Sequence, residues 1–451
     1  MLLLEQEIDI PAAASGENLI RFFERAVHDH LPAGQIPVRF VVTSCGEGGY
    51  HCELAALAGI EDSCFAAPRS IFDFTPRKSE NADRFNAVLL VPTGIGAEIG
   101  GHAGDAGPVA RLLASACDNL ITHPNVVNAS DINELPDNGL YVEGSVICRL
   151  LMGTVGLQKV RSNRVIFVID EHPETEITER VINAASAARA TLGLDCTGVV
   201  RMDPPIVVRA EYSSSGSAVG RVEHLERLCQ VLLRRRDEFD AVALATLISV
   251  PEGTHEEYFH SRGEMVNPWG GVEAMLTHAI SMIFDVPSAH APIIESLQML
   301  ATTFGVVDPR ISAEVVSQCF VHCLLKGLHR SPHIVTDAGA FERPGVLSAA
   351  DVSCLVIPDG CVGLPTLAAV GQGIPVIAVR ENRNRMRNDL AALPFAKGKL
   401  FVVENYLEAV GVMAALAGGV SVDAVRRPLS DTVVSTERIE GTPIETELKV
   451  L

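Results

Sequence analysis

From Asn86 to Val403, short apolar runs alternate with segments whose apolar residues recur every three to four positions. The runs AVLLVP, NLITH, RVIFVID, CTGVVRM, AVALATLI, PHIVT, SCLVIPD, PVIAV and LFVV are rich in Val and Ile and read as strands buried on both faces. The periodic segments predict helices over Glu174–Leu192, Val222–Arg236, Gly271–Phe284, Ile311–Leu328 and Asn405–Leu416. Strands alternating with helices form parallel sheets covered by helices, so the expected fold class is α/β, with Rossmann-like parallel sheets in two lobes.

Residues 1–84 carry another pattern. An extended segment, a helix near Glu17–His30 and two strands in PVRFVVTSCGEGGYHCELAAL, turning at Gly46–Gly49, predict a small α+β N-terminal domain that ends in the polar stretch PRKSENADRF. The expected division is therefore 1–84, an α/β lobe over 85–330, a second α/β lobe over 331–428 and a tail over 429–451. LLVPTGIG at 89–96 and LVIPDGCVG at 355–363 echo each other as strand, Pro, one residue, Gly. The echo predicts two lobes facing one cleft, with ligand beyond the carboxyl ends of the strands.

The 451 residues exceed a single ordinary core. A net charge of -20 excludes broad nucleic-acid binding but not a small anion held locally. Hydrophobic content is 47% and mean hydropathy +0.24, yet no apolar run of about 18 residues lacks charge or glycine, so no membrane span is expected. The start MLLLEQEIDIP has acids where a signal peptide needs a basic flank, which predicts a cytoplasmic protein. Eleven cysteines, Cys64 among them, are scattered singly without CxxC and read as reduced core thiols. The apolar content also makes a homodimer plausible.

The densest chemistry follows the first run. In VPTGIGAEIGGHAGDAGPVARLL, a strand opens into glycines before a helix, an arrangement that aims backbone amides at an anion. Thr93, Gly94, Gly96, Gly100 and Gly101 would hold it, beside His102 and Asp105. The next segment, ITHPNVVNASDINELPDNGLYVEG, adds His123, Asn125, Asn128 and Glu143 after a strand, although His123 and Asn125 can equally close turns. His102, Asp105 and His123 have the donor types of a divalent-metal site, but H-x-x-D matches no ligand rule, and no metal is expected. GxxxxGK[ST], GxSxG and HExxH are absent, and Gly94–Gly96 does not continue as GxGxxG.

Trp269, followed by two glycines and a helix carrying Glu273, reads either as a substrate wall or as a core ring in a tight turn. His255, His260 and His278 read as structural or surface groups; His290, between small apolar residues, is the exception. SSSGSAVG at 213–220 is either an anion loop or a flexible turn. Around the second strand-Pro-x-Gly loop, Asp359, Gly360, Cys361, Glu381 and Asn382 are candidates for holding substrate hydroxyl or amide groups, with Cys361 at a helix start that would lower its thiol pKa.

VPTGIGAEIGGHAGDAGPVA, LITHPNVVNA, YVEG, VPSAHAP, DPRISAE and IPDGCVGLPTLAAVGQGIPVIAVREN together resemble a family catalogued only as a domain of unknown function, over about residues 86–400. ADVSCLVIPDGCVGLPTLAAVGQGIPVIAVRENRNR is similar in layout to the second lobe of non-hydrolysing nucleotide-sugar epimerases and two-lobed glycosyltransferases, with Pro-Asp-Gly-Cys where they carry Asp-Ser-Gly-Gly. That likeness implies nucleotide-sugar chemistry.

The residues themselves point to a biosynthetic enzyme that acts on an anionic small molecule by general acid/base chemistry, as a lyase, isomerase or hydrolase. His102 or His123 would move the proton and Asp105 or Glu143 would orient that imidazole. No cofactor is indicated. The alternatives are a nucleotide-sugar enzyme and a non-catalytic small-molecule-binding or regulatory protein.

Overall fold

Two large sheets organise the computed structural model, which describes residues 1–61, 65, 68–302, 304–317 and 319–436. Cys64 and the end of the expected tail, residues 437–451, lie outside the described residues. In chain order the strands are β1 (Leu2–Ile10), β2 (Ile36–Gly46), β3 (Gly49–Ala58), β4 (Asn86–Leu89), β5 (Asn119–Thr122), β6 (Gly139–Tyr141), β7 (Arg164–Asp170) and β8 (Asp195–Met202). Then come β9 (Val207–Tyr212), β10 (Ala218–Glu223), β11 (Ala241–Ser249), β12 (Ser288–Ile293), β13 (Cys354–Pro358), β14 (Val376–Val379) and β15 (Leu400–Val403).

The first sheet is six-stranded and parallel throughout, in the order β15-β14-β13-β4-β5-β6. Every residue of β4, β5, β13 and β14 is buried, as continuous apolar runs covered on both faces require. Strand succession reverses between β4 and β13, so the chain segments leaving these two strands start side by side.

The second sheet has a parallel part, β8-β7-β11-β12, built from RVIFVID, AVALATLI and their neighbours. The end of β11 also pairs with β9, and from there the sheet continues antiparallel as β9-β10-β1-β3-β2, closed by Val362–Gly363. The mixed α/β class is therefore present, with parallel strands in both sheets. PHIVT is an exception. His333–Val335 pairs antiparallel with Gly156–Gln158 in a small separate sheet.

Strand pairing crosses the expected boundaries after residues 84 and 330. β1, β2 and β3 do not close on themselves: β1 hydrogen-bonds to β10, and β2 to Val362–Gly363, which makes residues 1–58 one half of the antiparallel layer. β13, β14 and β15 extend the sheet begun by β4, so residues 354–403 are not a lobe apart from residues 86–141.

Among the helices are α1 (Leu19–His30), α2 (Gly107–Ala114), α3 (Gly144–Leu151), α4 (Thr175–Leu192), α5 (Leu225–Arg234), α6 (Gly270–Phe284), α7 (Ser312–Val316), α8 (Val321–His329) and α9 (Tyr406–Ala417). Two differ from the helical periodicity. Val222 sits in β10 opposite Leu3 and Val208, and the strand continues to Glu223, so α5 starts only at Leu225; here sheet pairing overrides local preference. The expected helix Ile311–Leu328 breaks where Ser317 leaves helical geometry at φ -75°, ψ 135°. Among the described residues no helix is long and apolar enough to cross a membrane.

Candidate functional site

Beyond β4, β5 and β6 the chain reaches Thr93, His123 and Glu143, and beyond β11 it reaches Val250. All four border one cavity of about 570 Å³ at the carboxyl ends of the two parallel layers, with α6 along one wall. Helix spacing dictates what α6 contributes. Glu273 and Thr277, and beside them Ala274 and His278, are four apart, so they form one face, and this face lines the cavity.

That face holds two imidazole–carboxylate pairs. His278 donates from Nδ1 to Oε1 of Glu143, and Thr277 Oγ1 lies 3.4 Å from the same oxygen. The other oxygen, Oε2, accepts from the Ser145 amide at 2.9 Å and from the Ser145 hydroxyl, so Glu143 also caps α3. Burial would raise the Glu143 pKa, but the charge and hydrogen bond of His278, the Ser145 hydrogen bond and the charge of Arg149 together hold it below the ordinary value. In the second pair, Nδ1 of His290 is 3.2 Å from Oε1 of Glu273 and Nε2 of His290 is 2.8 Å from Oγ1 of Thr246.

His123 is different. The Val91 amide donates to its Nε2 at 3.2 Å, and burial depresses its pKa to about 4. His102 starts a relay: its Nδ1 is 2.7 Å from the Tyr258 hydroxyl, which donates to Oε1 of Glu314 at 3.0 Å. Burial, then the positive charge of Arg310, lowers the His102 pKa. Burial pushes Glu314 up to about 7 despite donors from Ala103, Tyr258 and Asn267. Among the described residues no group of three or more His, Cys, Asp or Glu side chains is arranged to hold a metal ion.

Of the residues expected from sequence, Thr93, Gly94, Gly101, His102, His123, Asn125, Asn128 and Glu143 line the cavity. Asn125 works inside the wall, donating to the carbonyls of Val91 and Gly100 at 3.0 and 2.7 Å. Gly96, Gly100 and Asp105 are not in the lining. Asp105 folds the loop back on itself, accepting from the Gly100 amide at 2.8 Å, and burial pushes its pKa up to about 7.

The second half of the expected site is elsewhere. Asp359, Gly360, Cys361, Glu381 and Asn382 are absent from the cavity wall. Asn382 is fully buried, accepts from the Ile99 amide at 2.9 Å and donates to the Ile99 carbonyl at 2.9 Å and the Tyr406 hydroxyl at 2.7 Å. It braces the glycine loop from behind. Glu381 caps α9 through the Tyr406 amide at 2.9 Å, and Asp359 accepts from the neighbouring Gly360 amide. Cys361 is buried, and burial raises its thiol pKa rather than lowering it. The serine loop is a hairpin turn between β9 and β10, with Ser213 and Ser215 donating to Glu53 at 2.9 and 2.7 Å.

Four amides in and beside the expected anion cradle, Gly100 among them, have protein partners. Glu98 N–H donates to the Arg383 carbonyl, Ile99 N–H to Asn382, Gly100 N–H to Asp105 and Ala103 N–H to Glu314. At α6, Oδ1 of Asn267 accepts from the Trp269 and Gly270 amides at 3.0 and 3.2 Å. The glycines serve close packing instead: a Cβ at Gly94 would stand 2.8 Å from the Ala218 carbonyl oxygen, and one at Gly271 only 1.9 Å from it.

The family described as "Protein of unknown function (DUF3326)" matches residues 86–426. The chain belongs to it. A Synechococcus sp. protein named "uncharacterized lipoprotein" is 35% identical over 339 residues, spanning 74% of this chain and 91% of its own. No solved structure matches. The family match includes every residue of the cavity wall named above.

Sequence reasoning missed His278, Glu273, Glu314 and Asn267 as site residues. For the first two the signal was present, since Glu273, Thr277 and His278 share one face of the expected helix Gly271–Phe284. Nothing local marks Glu314, whose partners Ala103 and Tyr258 are brought to it only by the fold.

Proposed function

We propose that this chain is an enzyme that carries out general acid/base chemistry on a small organic molecule held in the cavity, as a lyase, isomerase or hydrolase. The observation that carries the reading is the Glu143–His278 pair with His123 on the same wall. Glu143 orients His278 through Nδ1 and leaves Nε2 to take a proton from substrate. His123, neutral at physiological pH and with its Nε2 occupied by Val91, donates from Nδ1 to the oxygen or nitrogen on which negative charge develops. The reversal of strand succession in the parallel six-stranded sheet supports a Rossmann-like reading of that sheet, with ligand at the crevice where succession reverses.

The test is to incubate the protein in D2O with a panel of small polar metabolites and follow each by proton NMR. At least one binder is expected to be converted or to gain deuterium at carbon, and His278→Gln is expected to slow this by about 100-fold or more. Binders that are never converted would leave a binding or regulatory protein as the better reading. We also infer a reducing compartment for the chain, supported by the lack of a disulfide among its ten described cysteines. The relative's printed name, a lipoprotein, favours membrane attachment instead. Separating cell extract into soluble and membrane fractions distinguishes the two.

A further inference from the structure

Taking the cavity as the functional site, we propose that its substrate is an organic cation: a small molecule whose protonated amine sits at Glu273 and whose apolar part lies on the aromatic wall beside it. Three observations lead there. Among the described residues the wall contains no Lys or Arg, whereas Glu143, Glu273, Glu295 and Glu314 are all part of it. A carboxylate- or phosphate-bearing ligand would meet no fixed positive charge.

Some of the backbone donors that could replace such a charge are engaged. Oδ1 of Asn267 takes the Trp269 and Gly270 amides at the start of α6 and the carboxylate of Glu143 takes the Ser145 amide at the start of α3, so these three donors are not offered to an anion. The glycine-loop amides at 98–100 and 103 have protein acceptors as well.

The third observation is what surrounds Glu273. Its Oε1 meets His290, while Oε2 has no hydrogen-bond partner among the described residues. Trp269 lies one helical turn earlier on α6. Trp269, His255 and Phe304 all line the cavity, with His255 5.7 Å from Trp269 and 5.5 Å from Phe304 between ring centroids. A carboxylate and aromatic rings lining one cavity suit a weakly hydrated ammonium, which gains charge pairing and cation–π contact together. Ser317, buried and with no partner for its hydroxyl, borders the same cavity and supplies an acceptor for a further N–H.

The experiment compares benzylamine with benzoate, which match in shape and differ in charge, and with inorganic phosphate, by NMR titration of the full chain. Benzylamine is expected to bind at about millimolar Kd, with benzoate and phosphate at least about tenfold weaker. E273Q is expected to weaken benzylamine by about tenfold and leave benzoate unchanged. Benzoate or phosphate binding as tightly as benzylamine, or no benzylamine binding at all, overturns the proposal. Because that comparison uses wild-type protein, it decides the matter even if E273Q fails to fold. Failure here leaves the acid/base reading intact, whereas amines that bind and are never turned over remove the acid/base reading and leave the charge preference standing.

Discussion

The backbone N–H of Val91 points at Nε2 of His123 from 3.2 Å. In a neutral ring this places the proton on Nδ1, and burial keeps the ring neutral by depressing its pKa to about 4 from an ordinary 6.5. We predict that long-range proton–nitrogen NMR shows His123 as the Nδ1–H tautomer at pH 7, with no titration above pH 5. For a depressed histidine, stability falls as pH drops below about 6.5 and the unfolded ring takes its proton first. A midpoint near 6.5 would count against the assignment.

Glu314 titrates with the opposite sign. Its pKa is raised from 4.5 to about 7, so the unfolded chain loses the proton first as pH rises. Its stabilising contribution is complete below about pH 4.5 and disappears on the way to about 7. Glu314→Gln stays neutral throughout, and its unfolding free energy in urea is expected to fall less between pH 5 and 8 than that of wild type. Equal pH responses would sink this.

Gly271 rests against the backbone of Ala218, where an added methyl would stand 1.9 Å from a carbonyl oxygen. Gly271→Ala is expected to cost roughly 2–4 kcal/mol in denaturant unfolding, since backbone must move to admit it. Gly198→Ala is the control. No heavy atom lies within 4 Å of its Cβ position, and a change within about 0.5 kcal/mol is expected.

Asn382 spans the Ile99 peptide and the Tyr406 hydroxyl. Asn382→Ala leaves both Ile99 groups unpaired in a partly buried place, with an expected loss of roughly 1–3 kcal/mol. The sharper readout is amide hydrogen exchange, which should quicken at residues 98–100 before anything in α6 changes. Unchanged exchange there would mean that the loop does not depend on this brace.

The strands of the parallel layers were legible because burial on both faces writes itself as an uninterrupted apolar run, as in RVIFVID and SCLVIPD. Partnership was not. Nothing in LLLEQEIDI says that β1 will lie between β3 and β10, because pairing is settled by distant segments. On the site side, His102, His123 and Glu143 were legible as polar groups just past strands. The loop at Pro358 looked equally functional, since strand-Pro-x-Gly reads the same whether it faces a cleft or braces the loop opposite. Likewise an amide in a glycine loop looks available until the fold supplies Asn382, Asp105 or Glu314 as its acceptor.

The adjacency of β4 and β13 bears on how the chain is made. During synthesis β4, buried throughout in the finished fold, emerges early, and its neighbour arrives only after the whole of the second sheet's parallel part and α6 have left the ribosome. Until then its inner edge is open to any other extended chain. A product ending near residue 345 is expected to pellet with aggregates while full-length chain stays in the supernatant, which makes chaperone supply, rather than final stability, the determinant of yield.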